Sequence, residues 1–238
     1  MNADALGQIK PITKKDQIVI SVKNAILAGK LESGDPIVEN KIAQQLAVGT
    51  PLVREALIEL EHRGFVQKVP FRGTVVTKLS REDVDNIFRL RAELEALALE
   101  WAKEKATADD IEKLLALADG MKQAAMKLDL PAFYENDLAF HRKIWEVAGN
   151  PYLTDALEKV VVPLFAFFVM KNIREQVNYI DSAAKHAELI ASLQNKKEKQ
   201  VRQQMKGSVE FWQDEILNQL FPKRNPNPPQ TPSRRKEN

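Results

Sequence analysis

The 238-residue chain contains no cysteine, which excludes disulfides and thiolate metal sites and fits a cytoplasmic protein. Long apolar runs are also missing. The longest, Val160–Met170, falls far short of the roughly 20 residues needed to span a bilayer, and Pro163 interrupts it. It reads as a buried helix, and no membrane partner is expected. The opening MNADALGQIK lacks the apolar stretch of a secretory leader. Glycine is scarce, at nine residues, and beyond residue 80 glycine and proline are sparse apart from Gly149-Asn150-Pro151 and the last residues. That scarcity suits helices better than sheet. The length allows one large or two ordinary domains, each able to bury a core.

The net charge of +2 is unevenly spread. Residues 1–78 carry eleven Lys/Arg against eight Asp/Glu, or +3; residues 79–221 carry nineteen against twenty-four, or −5; residues 222–238 carry five against one, or +4. A mildly basic front on an acidic body fits a DNA-binding head on a domain that does not touch DNA.

The stretch 29–78 organises the chain. A helix is expected over 14–28, ended by Gly29, followed by a turn at Ser33-Gly34-Asp35-Pro36. Two short helical patterns follow, Glu39–Leu46 and Thr50–Arg63, separated around Gly49. The first presents Ile42, Ala43 and Leu46 to the core, the second Val53, Ala56, Leu57 and Leu60. Thr50 is suited to cap the second helix and Pro51 to its first position, where no amide donor is needed. After Gly64, two β-rich runs, Phe65–Val69 and Thr74–Thr77, flank Pro70-Phe71-Arg72-Gly73. Helix, tight turn, helix and hairpin is the order of a winged helix-turn-helix, whose second helix enters the major groove. Arg54 falls off the apolar stripe and is placed to face DNA. Arg72 and Gly73 pair a cation with a residue free to take unusual backbone angles. Lys41 on the preceding helix completes the candidate DNA contacts Lys41, Thr50, Arg54, Arg72 and Gly73.

From Ser80 to Leu220 only helical periods appear, predicting helices over 81–105, 108–127, 131–148, 151–172, 178–194 and 197–220. Ser80 and Asp83 form a partial capping signal. The expected fold is therefore mainly α: a winged helix-turn-helix over 1–79, an all-α helical bundle over 80–221, and a basic, disordered tail over 222–238.

Polar residues on inward stripes carry the body's chemistry. Arg91 shares a 3,4-spaced stripe with Val84, Ile87, Leu94, Ala98 and Trp101. A buried guanidinium requires an anionic partner, either an internal Asp/Glu or the carboxylate or phosphate of a ligand. Asp137 and His141 are four apart, on one face with Tyr134, Ile144 and Ala148. His186 lies on a stripe with Ala183, Ile190 and Leu193. One carboxylate and two imidazoles can hold Zn²⁺, Mn²⁺ or Ni²⁺, or form a hydrogen-bonded core pair with no metal.

These residues together resemble the GntR family of transcriptional regulators, FadR type, with a helical FCD effector domain. The resemblance covers about residues 14–220. It is carried by Ile42-Ala43-Gln44-Gln45-Leu46, Val53-Arg54-Glu55-Ala56-Leu57, Gly64-Phe65-Val66 and Arg72-Gly73 in the head. In the body it rests on Arg91-Ala92-Glu93-Leu94-Glu95, Asp137-Leu138-Ala139-Phe140-His141, Gly149-Asn150 and His186-Ala187-Glu188-Leu189-Ile190. It implies a homodimer on a short palindromic double-stranded operator, usually a repressor, with a small carboxylate effector. It gives Arg54 the recognition-helix role and Arg72-Gly73 the wing contact. Expected effector contacts are Arg91, Asp137, His141, His186 and, from position alone, Asn172, with Arg174 beside it.

Two departures stand out. The family's Ser-Arg-Thr-Pro is replaced by Gly49-Thr50-Pro51-Leu52, which removes one cation from the recognition helix, so the operator need not follow the family's common sequence. The final metal-ligating His is expected 22 residues after His186, where Ser208 stands. Metal on Asp137, His141 and His186 is then absent, or held weakly with water in the fourth place. Two other classes remain: a DNA-binding dimer without effector, and a helical metal-dependent enzyme. The incomplete ligand set argues against the enzyme.

Overall fold

The computed structural model describes residues 12–171, 179–195 and 198–222. The head comprises α1 (Lys14–Leu27), α2 (Glu39–Leu46), α3 (Thr50–His62), β1 (Val66–Val69) and β2 (Gly73–Val76). The strands pair antiparallel with Val66 opposite Val76 and Val69 opposite Gly73. A bridge between Pro36 and Val75 ties the α1–α2 connection to the wing. Ile18, Val22, Ile26, Val53, Leu57, Leu60, Phe65 and Val76 form the head's core. The expected elements are all present, with ends shifted by a residue or so. Leu46 is a correction: the last helical residue of α2 is 37% exposed rather than buried, because the chain turns away at Ala47 in the left-handed region (φ 50°).

The body is built from α4 (Arg81–Lys105), α5 (Ala108–Met126), α6 (Leu130–Ala148), α7 (Pro151–Lys171), α8 (Tyr179–Asn195) and α9 (Glu198–Leu220). Sequence sets the boundaries sharply. Ser80 with Asp83 and Thr107 with Asp110 form complete capping boxes, each satisfying two otherwise orphaned groups at a helix start. Gly149 ends α6 in the left-handed conformation (φ 66°). Helix α4, about 37 Å long at 1.5 Å per residue, packs against α6, α7 and α9. The second core draws Phe88, Leu99, Leu114, Phe133, Phe140, Trp145, Leu164, Phe168, Leu189 and Val201 from six helices.

Helix α7 serves both cores. Leu164, Phe165 and Phe168 face the bundle, whereas Ala166 is buried among the head's residues. The head meets α7 through Gly64: a Cβ there would lie 2.6 Å from the Val162 carbonyl oxygen and 2.8 Å from Pro163 Cα. Lys23 of α1 adds an ion pair with Glu135 of α6 at 3.3 Å. No helix among the described residues is long and apolar enough to cross a membrane.

Candidate functional site

On the head, Arg54 projects from the exposed face of α3, as its position off the apolar stripe requires. It is already engaged: its guanidinium donates to the Glu39 carboxylate at 2.8 and 3.2 Å. Thr50 does not cap α3. Gly49 holds the N-cap position without a side-chain bond, and Thr50, the first helical residue, donates its hydroxyl to Asn40 Oδ1 at 3.3 Å. The helix starts one residue earlier than expected because the turn from α2 is so short. Lys41, Arg72 and Gly73 are exposed, and Gly73 takes a φ of +76°. The sequence reading missed Phe71. It stands fully exposed at the wing tip with a φ of +62°, a strained conformation for an aromatic residue.

In the body, α4, α6 and α8 bring Arg91, Asp137, His141 and His186 together as expected. The α4 stripe divides into two. Val84, Phe88, Arg91, Glu95, Ala98 and Ala102 are buried, whereas Ile87, Leu94, Leu97 and Trp101 are only half-buried and Leu90 is exposed. The residue this hides from periodicity is Glu95, which is fully buried. Arg91 Nε donates to Glu95 Oε1 at 3.2 Å, and Trp145 Nε1 donates to Glu95 Oε2 at 2.8 Å. His141 Nδ1 lies 3.0 Å from Glu95 Oε1, out of line for a hydrogen bond, so that contact is electrostatic. Arg91 therefore has an internal carboxylate partner and still faces the cavity.

Burial alone pushes the Glu95 carboxyl up, but His141, Arg91 and Trp145 overcome it and hold its pKa down to about 2. For Asp137, burial is likewise outweighed by His186 and His141, and the group lies well below the usual carboxylate range. Burial lowers the His141 pKa and Arg91 opposes its protonation, yet Glu95 and Asp137 raise it above that of an ordinary imidazole.

The hydrogen bonds also fix ring orientation. His186 Nδ1 is 2.8 Å from the Ser182 carbonyl, an acceptor only, so Nδ1 carries a proton. In the neutral ring, Nε2 then presents a lone pair to Asp137 Oδ1 at 2.9 Å. Two acceptors at that distance need a proton or a cation between them. His141 Nε2 lies 3.4 Å from the same oxygen and accepts from Arg91 Nη2 at 2.8 Å. The three ligand atoms lie within 4.8 Å of one another. This donor set fits a divalent metal with three protein ligands and an open position, and the Ser182 carbonyl supplies the outer hydrogen bond that orients such imidazoles. Arg91 competes for the His141 lone pair and must turn aside for metal to bind there.

These groups share a cavity of about 50 Å³ with several aromatic rings, among them Phe88, Phe133, Tyr134, Phe165, Phe168 and Trp212. The Arg91 guanidinium sits over the Phe165 ring at 4.9 Å, and the Tyr134 and Tyr179 hydroxyls are 3.2 Å apart. Ser208 lines the same cavity. Asn172 and Arg174 lie outside the described residues.

Residues 14–76 match the bacterial regulatory protein gntR family, and residues 86–211 match the FCD domain. The chain belongs to the GntR family and carries an FCD domain. A regulator from Mycobacterium tuberculosis, the uncharacterized HTH-type transcriptional regulator MT0049, is 30% identical over 70% of this chain and 68% of its own length. The HTH-type transcriptional repressor NanR of Cronobacter sakazakii is 28% identical over 63% of this chain and 66% of its own length. Among solved structures, Escherichia coli McbR/YncC superposes with a TM-score of 0.66 at 24% identity, covering 89% of this chain and 100% of that one, which shows a shared fold. As a GntR-family protein the chain is a DNA-binding transcriptional regulator, not an enzyme. Its head residues are thereby placed in a DNA-binding domain.

Proposed function

We propose that this regulator binds a palindromic operator as a homodimer and represses transcription, and that a small carboxylate in the FCD cavity changes its DNA affinity. The observation that carries the reading is the buried Arg91–Glu95–His141–Asp137–His186 group around a cavity. A bundle serving only dimerisation gains nothing from five ionisable groups in its core, since each costs desolvation. Arg91 anchors the ligand carboxylate. Asp137, His141 and His186 hold a divalent cation, which when bound supplies positive charge for a second ligand oxygen.

The route to the head runs through α7. Tyr134 and Phe165 line the cavity on one side. On the other they line a cleft of about 550 Å³ between body and head, together with Lys23, His62, Phe65 and Arg142. A ligand that draws Arg91 off the Phe165 ring alters the packing next to Ala166, which belongs to the head's core. Dimerisation uses the outer α4 stripe, Ile87, Leu90, Leu94, Leu97 and Trp101, which one chain leaves incompletely covered. Arg54 leaves Glu39 to reach a base or phosphate in the major groove. Arg72 and Phe71 bring the wing to the backbone and minor groove, where apolar side chains insert between base steps. A repressor among the relatives supports the sign of regulation, and the cytoplasm is the compartment this function requires.

In vitro selection from random duplex DNA tests the reading. The expected product is an inverted repeat whose binding is lost on Arg54→Ala while the fold is kept. Enrichment of no sequence, or unchanged binding by Arg54→Ala, contradicts it.

A further inference from the structure

The effector cavity is too small for most acids. About 50 Å³ holds roughly four waters, hence a ligand of about four heavy atoms. Anything larger must extend past one of its walls. Toward the head the wall is Tyr134 and Phe165, two large rings. Toward the α8–α9 surface it is Ser208, half-buried and carrying two side-chain heavy atoms only if Cβ is counted. Ser208 also lines a second space of about 400 Å³, together with Lys185, Gln200, Gln203, Gln204, Gly207 and Phe211.

Gly207 lines this space without filling it. Glycine disfavours a helix interior, and packing does not demand it here. A Cβ at Gly207 meets nothing within 4 Å, whereas one at Gly120 lies 2.4 Å from Asn136 Oδ1. The groove's chemistry is polar. Lys185 Nζ is held by Glu188 at 3.0 and 3.3 Å, Gln204 Nε2 donates to Glu188 at 3.0 Å, and Phe211 offers an exposed ring with Lys185 over it. A fatty tail laid here strips water from amides and an ammonium without replacing it. A tail with its own acceptors does not.

We propose that the α8–α9 groove is the outer half of the effector site, and that the effector is an extended dicarboxylate-class dianion. One carboxylate is at Arg91, the chain passes Ser208, and the second anionic group is at Lys185. This deepens the effector reading and rests on it, and Ser208 becomes a determinant of ligand length. A larger residue at 208 closes the passage.

The test begins without a ligand. Because the chain has no cysteine, Ser208→Cys carries its only thiol. An anionic methanethiosulfonate reagent is expected to modify it at least tenfold faster than Val201→Cys, whose side chain is buried in the bundle and lines neither space. Adding Lys185→Met is expected to slow the anionic reagent at least threefold relative to a cationic one. Equal protection of the two thiols, or no effect of Lys185→Met, overturns the groove. In the second arm, melting temperature is followed with acetate and with adipate at matched ionic strength. A larger rise with adipate, abolished by Ser208→Trp and by Lys185→Met, is expected. A rise with acetate that adipate does not exceed overturns the outer half and leaves the inner site standing. No rise with either acid overturns the dianion, and the effector reading is then judged separately by operator binding across other acids.

Discussion

Gly64→Ala tests the contact through which the body reaches the head. Gly64 has a φ of +75°, and an added Cβ would lie 2.6 Å from the Val162 carbonyl and 2.8 Å from Pro163 Cα, both backbone atoms of α7. A β-carbon in the left-handed region costs about 1–2 kcal/mol. Overpacking against backbone that cannot rotate away adds about 1–3 kcal/mol, for a total of about 2–5 kcal/mol. Gly73 provides the control. Its φ is +76°, and a Cβ there meets nothing within 4 Å, so Gly73→Ala carries only the about 1–2 kcal/mol backbone cost. Urea unfolding of the two variants, with hydrogen exchange at Phe65 and Val66, measures the difference. Gly64→Ala is expected to be the less stable and to exchange faster at the head's α3–β1 junction. Equal stability of the two variants would show that head and α7 are not in the tight contact on which the α7 route depends.

Glu95→Gln removes the buried carboxylate that offsets Arg91. The fall in pKa from 4.5 to about 2 corresponds to about 3 kcal/mol at neutral pH. A carboxylate depressed in the folded state stabilises fully above its unfolded pKa and loses that effect as pH falls toward 2. The variant's deficit, seen as a melting temperature lower by roughly 6–12 °C, should therefore shrink to about 1 kcal/mol by pH 3; a deficit independent of pH would refute the charge argument. Phe71→Gly relieves a left-handed aromatic at an exposed tip, so stability should hold or rise by up to about 1 kcal/mol while operator affinity falls; unchanged affinity in a binding titration removes Phe71 from the interface. Arg54→Ala should weaken specific operator binding by about 1–3 kcal/mol with an unchanged circular dichroism melt. Elemental analysis of protein stripped with chelator and reloaded with Zn²⁺ should give near one metal per chain, and none for His186→Ala; no metal in the parent protein leaves Arg91 as the sole ligand anchor.

Much of this architecture was legible because its cues are local. Apolar spacing, the Ser80–Asp83 box and Gly149 each act over one or two turns, and they placed the helix ends to within a residue or so. Arg91, Asp137, His141 and His186 stood out as polar residues on apolar stripes. Glu95 did not, although it lies one turn beyond Arg91. Its burial depends on α4 packing against several helices at once, which widens the buried face beyond a single stripe. The Ser182 carbonyl that orients His186 is a backbone group and has no residue signature. Thr50 read as a cap because capping preference is local, but the short α2–α3 turn gave that place to Gly49. Gly64 marked a turn in the sequence, while its contact with Val162 and Pro163 is tertiary, nearly one hundred residues away, and no period announces it.

The central claim is that the FCD cavity controls the head. The most direct measurement is the affinity for the selected operator of one protein preparation, titrated with mono- and dicarboxylates with and without Zn²⁺. The account predicts that at least one acid shifts the dissociation constant fivefold or more, and that Arg91→Met abolishes the shift while leaving ligand-free binding intact. Tight operator binding that no acid alters, or a response that survives Arg91→Met unchanged, would contradict it.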